Sequence, residues 1–392
     1  VVIRQLTAEE FAAGLALDEY SFHFKLSEED KEREKLRYKP ERNWGFFEDG
    51  ELGAQLTLLP LSLYIQGNAV PMGGIAGVST WPENRRQGMV AKLLTHVLQT
   101  MNEAGQTISM LHPFLIPFYR RYGWEVCCEY KEYVLTSTQY PPRQEIQGIV
   151  KRDRATVEEL DELYNAFAAG YNGTLKRDRD WWEHSVLQGD RHTAVFYAGS
   201  GEPGGYILYK IGNRELTVEE FVYLNEAARQ GLLTFISNHD ATVDQVKLTR
   251  VPADDLLPFL LPNPRVQQHS HPYFMARLVN AQSFVGNYIF AKYKGDSAVI
   301  IGIEDEHAPW NNGLWRWTVD QLGRGSLTAV TAEEKSHKAD LQCGIGALGA
   351  ILLGYKRPAG LARAGILRGN EQAVQWLEAR VPQAQTALFD FF

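Results

Sequence analysis

The stretch that most constrains this chain of 392 residues is 78–91. A Gly-rich strand ends in Gly77-Val78-Ser79-Thr80, and Trp81-Pro82-Glu83-Asn84 turns the chain. Arg85-Arg86-Gln87-Gly88-Met89-Val90-Ala91 then opens a helix. A helix N-terminus presents unpaired backbone N–H groups and the positive end of the helix dipole. Two arginines at that end oppose the dipole unless an anion lies between them. Gly88 lets the backbone approach such an anion closely. The pattern therefore implies a pyrophosphate-bearing ligand on the turn and first helical residues. The extended main chain of Val78, Ser79 and Thr80 is suited to strand-like hydrogen bonds with the remainder of that ligand.

Apolar residues Val90, Leu93, Leu94, Val97, Leu98 and Met101 carry the helix to about residue 105 at helical spacing. Upstream, a strand over 1–6 leads to Thr7 as a helix N-cap, and residues 9–39 read as two helical pieces. The mixed charges of 28–39 mark a solvated helix face. Hairpin signals pair 44–47 with 52–59 and 61–65 with 70–78, and a strand follows at 107–111. Tyr140-Pro141-Pro142-Arg143 reads as a linker. Beyond it the same order of elements recurs: strands over 149–152, 192–198, 204–211 and 215–223, a helix over 225–238 and a strand over 245–249. This second copy lacks any counterpart of Arg85-Arg86-Gln87-Gly88. Prolines 252, 258, 262, 264 and 272 mark its exit. A third segment with a Trp-rich patch (Trp310, Trp315, Trp317) and helices near 340–353 and 370–380 completes the chain. The length predicts two or three domains, and the element order an α/β arrangement around a mainly antiparallel sheet.

The turn resembles the Q/R-x-x-G-x-G/A signature of the GCN5-related N-acetyltransferase (GNAT) superfamily, read here as Arg85, Gly88 and Val90, with Val90 departing from the small final residue. The whole chain resembles the enhanced-intracellular-survival (Eis) family. Its best points are Pro82-x-x-Arg85-Arg86-x-Gly88, Phe118-Tyr119-Arg120-Arg121-Tyr122-Gly123-Trp124, Met275-Ala276-Arg277-Leu278-Val279 and Phe392. That resemblance implies an α/β and α+β protein with tandem acetyltransferase-like domains, the second degenerate, and a sterol-carrier-like α+β domain. The expected divisions are 1–145, 146–275 and 276–392. Acetyl-CoA becomes the expected cosubstrate, held by Val78, Ser79, Thr80, Arg85, Arg86, Gln87, Gly88, Met89, Val90 and Ala91, with Phe114 and Leu115. Acceptors implied are aminoglycosides, polyamines or lysine side chains, and the implied assembly is a hexamer.

Amine acetylation needs a base for the ammonium proton and an acid for the departing thiolate. By the resemblance Tyr119 is the acid, and the neighbouring Arg120 and Arg121 are expected to lower its pKa. Tyr122 falls three residues later on the same side of a helical turn. The chain closes Ala387-Leu388-Phe389-Asp390-Phe391-Phe392. Three phenylalanines there predict docking into an apolar groove, since chain ends are otherwise polar and frayed. Such docking would desolvate the α-carboxylate of Phe392, which by the resemblance serves as the base. Asp18, Glu19 and Asp390 are candidates to hold a cationic acceptor.

A net charge of -8 argues against a general nucleic-acid or anionic-membrane binder. Cys127, Cys128 and Cys343 form no disulfide framework and have no zinc spacing, and a cytoplasmic setting is expected. No metal is expected, and His269-Ser270-His271 reads as a polar loop. Gly344-Ile345-Gly346-Ala347-Leu348-Gly349 matches a dinucleotide fingerprint only as a string; in an apolar helical run it signals close helix packing. A rival function is a carrier whose third domain holds an apolar ligand. An aminoacyl transferase is a further rival, but it would place the phosphate turn in the second copy.

Overall fold

The computed structural model describes residues 1–293, 297–331 and 338–392. The chain opens with β1 (Val2–Gln5), α1 (Phe11–Phe22), α2 (Glu28–Arg37), β2 (Asn43–Glu48), β3 (Glu51–Ile65), β4 (Asn68–Thr80), α3 (Met89–Glu103), β5 (Ile108–Leu111), α4 (Ile116–Arg120) and β6 (Glu125–Val126). It continues through β7 (Glu129–Thr136), β8 (Gly148–Arg152), α5 (Val157–Ala168), α6 (Arg179–Trp181), β9 (His192–Ala198), β10 (Pro203–Gly212), β11 (Glu215–Tyr223), α7 (Glu226–Ser237), β12 (Gln245–Pro252), α8 (Leu257–Leu260), β13 (Gln267–Pro272) and β14 (Met275–Leu278). It ends with α9 (Ala281–Asn287), β15 (Ser297–Glu304), β16 (Gly313–Val319), β17 (Gly325–Ala329), β18 (Leu341–Gly344), α10 (Ile345–Leu352), α11 (Pro358–Arg363), β19 (Arg368–Gly369) and α12 (Glu371–Arg380).

The described residues build three sheets, in the orders β1-β2-β3-β4-β5-β14-β6, β13-β7-β12-β11-β10-β9-β8 and β17-β16-β15-β18-β19. The first two sheets trade chain. β14 arrives from beyond the second sheet and inserts between β5 and β6. In return β7 leaves the first segment and lies between β12 and β13. The third unit is bolted to the first by the buried Arg277 of β14. Its guanidinium pairs with Asp305 and donates to the carbonyl of Tyr122.

Local chemistry explains most elements. Ser27, Thr156, Asn225 and Asn370 each cap a helix by accepting from the backbone N–H three residues on. The apolar stripe Leu93, Leu94, Val97, Leu98 and Met101 of α3 is wholly buried against the first sheet. Gly346 of α10 sits where an added Cβ would lie 2.7 Å from the carbonyl oxygen of Gly123, so the helix rests directly on that turn. Close packing requires only this one of the three glycines, since a Cβ at Gly344 or Gly349 would have nothing nearer than 4.0 and 3.7 Å.

Three local expectations change. α1 begins at Phe11, without a side-chain cap. Thr7 does not cap it; its N–H goes to the Glu10 carboxylate, which Arg4 also holds. The strands read as 52–59 and 61–65 are one, β3, which runs unbroken through Pro60, opposite Gly73. His269-Ser270-His271 is the edge strand β13 and no loop: β7 pairs with it, and Tyr130 stacks on His271.

Candidate active site

The first sheet opens like a fork. β4 and β5 run parallel from Met72↔Ile108 to Ile75↔Leu111, after which β4 continues with β3 alone. The β3–β4 register slips between Gln55 and Thr57, so Gly77 and Val78 together oppose Leu56. Gly77 has φ +56°, a left-handed conformation suited to glycine. Such a bulge leaves one residue outside the ladder and re-aims the strand beside the gap. Val78, Ser79 and Thr80 follow at this fork.

At its far side lies the N-terminus of α3. Gly88 has φ +78° and open space around its Cβ position; Arg86 also has positive φ, +64°. Arg85, Arg86, Gln87 and Gly88 are exposed, Met89 is buried, and Val90 and Ala91 are half-buried. Gln87 hydrogen-bonds back to Glu83. Two exposed guanidinium groups beside free helical N–H groups fit a pyrophosphate.

α4 presents the candidate acid. Tyr119 is 2% exposed, with Phe114 at 5.5 Å and Phe118 at 5.1 Å between ring centroids. Phe114 and Leu115 themselves are exposed, as a contact surface for a bound molecule requires. Burial raises the Tyr119 pKa above the usual phenol value. The expected lowering by arginines is overturned, because Arg120 is turned onto Glu125 and Arg121 is exposed. A firmly protonated phenol still has the state that a proton donor needs. Tyr122 packs against Phe118 and His307 at the rim.

Across β4, Asp18 of α1 accepts from Gln55 Nε2 at 2.8 Å and Ser79 Oγ at 2.7 Å. Burial raises its carboxyl pKa, opposed by those two hydrogen bonds. Asp18 lines a cleft of about 340 Å3 with Glu34, Tyr38, Phe24, Leu26 and Gln55. Burial, with Glu10 and Asp18 nearby, pushes Tyr38 up to about 12. Glu19 instead accepts from the backbone N–H of Leu26 and closes the α1–α2 loop.

The closing segment returns to β4. The ring of Phe392 fills the space over Gly74, where a Cβ would lie 2.9 Å from it, and packs on Phe274 at 4.7 Å. Phe389 is buried, but Phe391 is 58% exposed with its ring 4.9 Å from His112, so docking involves two of the three phenylalanines. Asp390 is turned onto groups of the chain itself. It is 4% exposed and bonded to Arg177, Trp181 and Tyr164. Its expected role with a cationic substrate is overturned by those partners. Sequence reading also missed Gln55, Glu34 and Tyr38 in the acidic cleft. The glycine pair Gly73-Gly74 within a strand was a usable signal, because strand glycines mark close approach of another group.

The same architecture recurs in known proteins. Residues 2–127 and 173–278 each match an acetyltransferase (GNAT) domain model, and residues 281–389 match a sterol carrier protein domain. A protein from Streptomyces griseus subsp. griseus named as an uncharacterized N-acetyltransferase is 26% identical over 343 residues, 80% of each chain. A probable N-acyltransferase from Enterococcus faecalis superposes with TM-score 0.92 at 27% identity, covering 100% of this chain and 99% of the other. Eis1 from Mycobacterium abscessus shares the fold across 100% of both chains, with TM-score 0.82 at 21% identity.

Proposed function

We propose that this Eis-like member of the GCN5-related N-acetyltransferases moves acetyl from acetyl-CoA directly to a primary amine of a cationic acceptor, an aminoglycoside, a polyamine or a lysine side chain. The observation that carries this reading is the fork of β4 and β5. It leads from the bulge at Gly77-Val78 to the open N-terminus of α3, with Asp18 on one flank and Phe392 on the other. Acetyl-CoA supplies the activated acyl thioester. Arg85, Arg86 and the N–H groups of residues 87–91 hold its pyrophosphate, and residues 78–80, Phe114 and Leu115 hold its arm.

Asp18 draws the cationic acceptor toward β4. The Phe392 α-carboxylate takes the ammonium proton, and the free amine attacks the thioester carbonyl. The C–S bond then breaks, and the Tyr119 phenol protonates the departing thiolate. The Tyr119 phenol enters the step protonated, its pKa raised by burial. Division at 1–145, 146–275 and 276–392, a hexameric assembly and a cytoplasmic setting belong to the same reading. Among the described residues no helix is long and apolar enough to cross a membrane.

Thiol release from acetyl-CoA with a panel of amines tests the proposal, run on this chain and on one extended beyond Phe392. Loss of turnover on extension is expected. Unchanged turnover removes Phe392 as the base, and no release with any amine removes the acceptor class. In the third unit Leu348, Ile351 and Leu352 of α10 are buried in the core, so this apolar run offers no open surface to the ligand that the carrier reading requires.

A further inference from the structure

The second sheet has the same fork as the first. β11 and β12 run parallel only over Glu215–Val218 and Gln245–Leu248. Beyond that β11 stays with β10, while β12 shifts register and continues beside β7. This fork is stoppered. Phe389 lies against Phe167 at 5.8 Å, Tyr171 at 6.1 Å and Tyr164 at 6.4 Å. Arg250, held at φ +51° where β12 slips, donates from Nη1 to the Phe389 carbonyl at 3.0 Å.

One residue on, Asp390 enters a buried charge cluster. Its Oδ1 accepts from Arg177 Nε at 2.8 Å and Trp181 Nε1 at 2.9 Å, and its Oδ2 from the Tyr164 hydroxyl at 3.2 Å. The same guanidinium holds Glu220 of β11, which also accepts from Tyr206. The Asp390 carbonyl accepts from the Tyr273 hydroxyl at 2.7 Å, two residues before β14. Each of these bonds fixes the rotation and reach of the chain just before Phe392 lands on Gly74.

We propose that the second acetyltransferase-like unit is a receptor for Phe389 and Asp390, the residues that lead into Phe392, and that Asp390, through Arg177, is a positioning residue for transfer in the first unit. This rests on the function proposed above. A tail packed for stability alone is served as well by apolar side chains, since buried ion pairs return little net stability. Directional bonds instead fix register. The second unit has thus exchanged a ligand in its fork for a piece of its own chain.

Asp390→Asn is the incisive variant, because Arg177 keeps Glu220 as a partner and no lone charge is left buried. The expected result is a fall in kcat of about tenfold or more with the acetyl-CoA KM within about threefold of wild type. Amide exchange over 386–392 is expected to quicken while α5 and α7 keep their protection. Unchanged kcat, or lowered kcat with unchanged exchange in that segment, overturns the proposal. Should Asp390→Asn fail to fold, Phe389→Ala is read by the same measurements. The chain extended beyond Phe392 separates the two ideas. If extension abolishes turnover but Asp390→Asn does not, the receptor idea fails and the base stands. If extension is harmless while Asp390→Asn lowers kcat and loosens 386–392, the base fails and the receptor stands.

Discussion

The two forks of this molecule share a plan and differ in what fills them. In each, a long hairpin, a helix and a parallel strand follow in order: β3, β4, α3, β5 and then β10, β11, α7, β12. Both helices bury an apolar face on their sheets. At the first, residues 81–88 make a wide turn that ends in Gly88 and leaves two arginines exposed. At the second, Leu224 passes straight to Asn225, whose side chain satisfies the N–H of Ala228, and Glu226 pairs with Arg229. An acid stands where an incoming phosphate would be repelled. On the reading proposed above, the two forks differ in a handful of turn residues while their packing is alike.

The largest test of this contrast is Tyr119→Phe. With the proposed proton donor gone, kcat is expected to fall by about a hundredfold or more in steady-state thiol release, whereas stability should hold. Turnover within about threefold of wild type would assign the acid elsewhere. Next come Leu93→Ala in α3 and Leu232→Ala in α7, both fully buried. Each is expected to cost about 2–5 kcal/mol in urea unfolding. A cost below about 1 kcal/mol at Leu232 would mean that the second helix is loosely held and the likeness superficial.

Replacing Arg85 and Arg86 together by Ala should raise the acetyl-CoA KM by about tenfold to a hundredfold, more at low salt. The reciprocal change, Asn225→Arg with Glu226→Arg, should create no second cofactor site, and titration calorimetry should still count one per chain. A second site would show that the turn alone decides.

The smallest effect concerns Asp18. Burial raises its carboxyl pKa, so the folded chain holds that proton more tightly than the unfolded chain. Its stability contribution is therefore present at low pH and declines as pH rises through the carboxylate range. Asp18→Asn removes this decline. Its melting temperature should gain on wild type as pH rises, while the acceptor KM increases. Parallel melting curves across pH would reject a strained carboxylate at this place.

Much of the first fork is legible in sequence because its signals are local. Gly88, the arginine pair and the α3 stripe lie in one unbroken stretch, 85–101, and periodicity finds the stripe. The element order of the second copy is legible for the same reason. What is hidden depends on contacts between distant residues. Nothing beside Met275 announces that it pairs with Leu111 and Val126, and nothing beside Asp390 announces Arg177. Pro60 misleads because a strand can hold a proline where its missing N–H is not needed. Tyr119 misleads in charge because Glu125 claims Arg120.

The exchange of β14 and β7 has a consequence for how the protein comes into being. While the ribosome is delivering β8 through β13, the first sheet has no strand between β5 and β6. The place between β5 and the edge strand β6 waits for Met275–Leu278. Units that normally fold one after another during synthesis must here finish together. Pairings so far apart in sequence are reached slowly. A nascent chain of this kind carries an open slot beside β5 through much of its translation, and a fragment cut after the first unit would keep that slot for good.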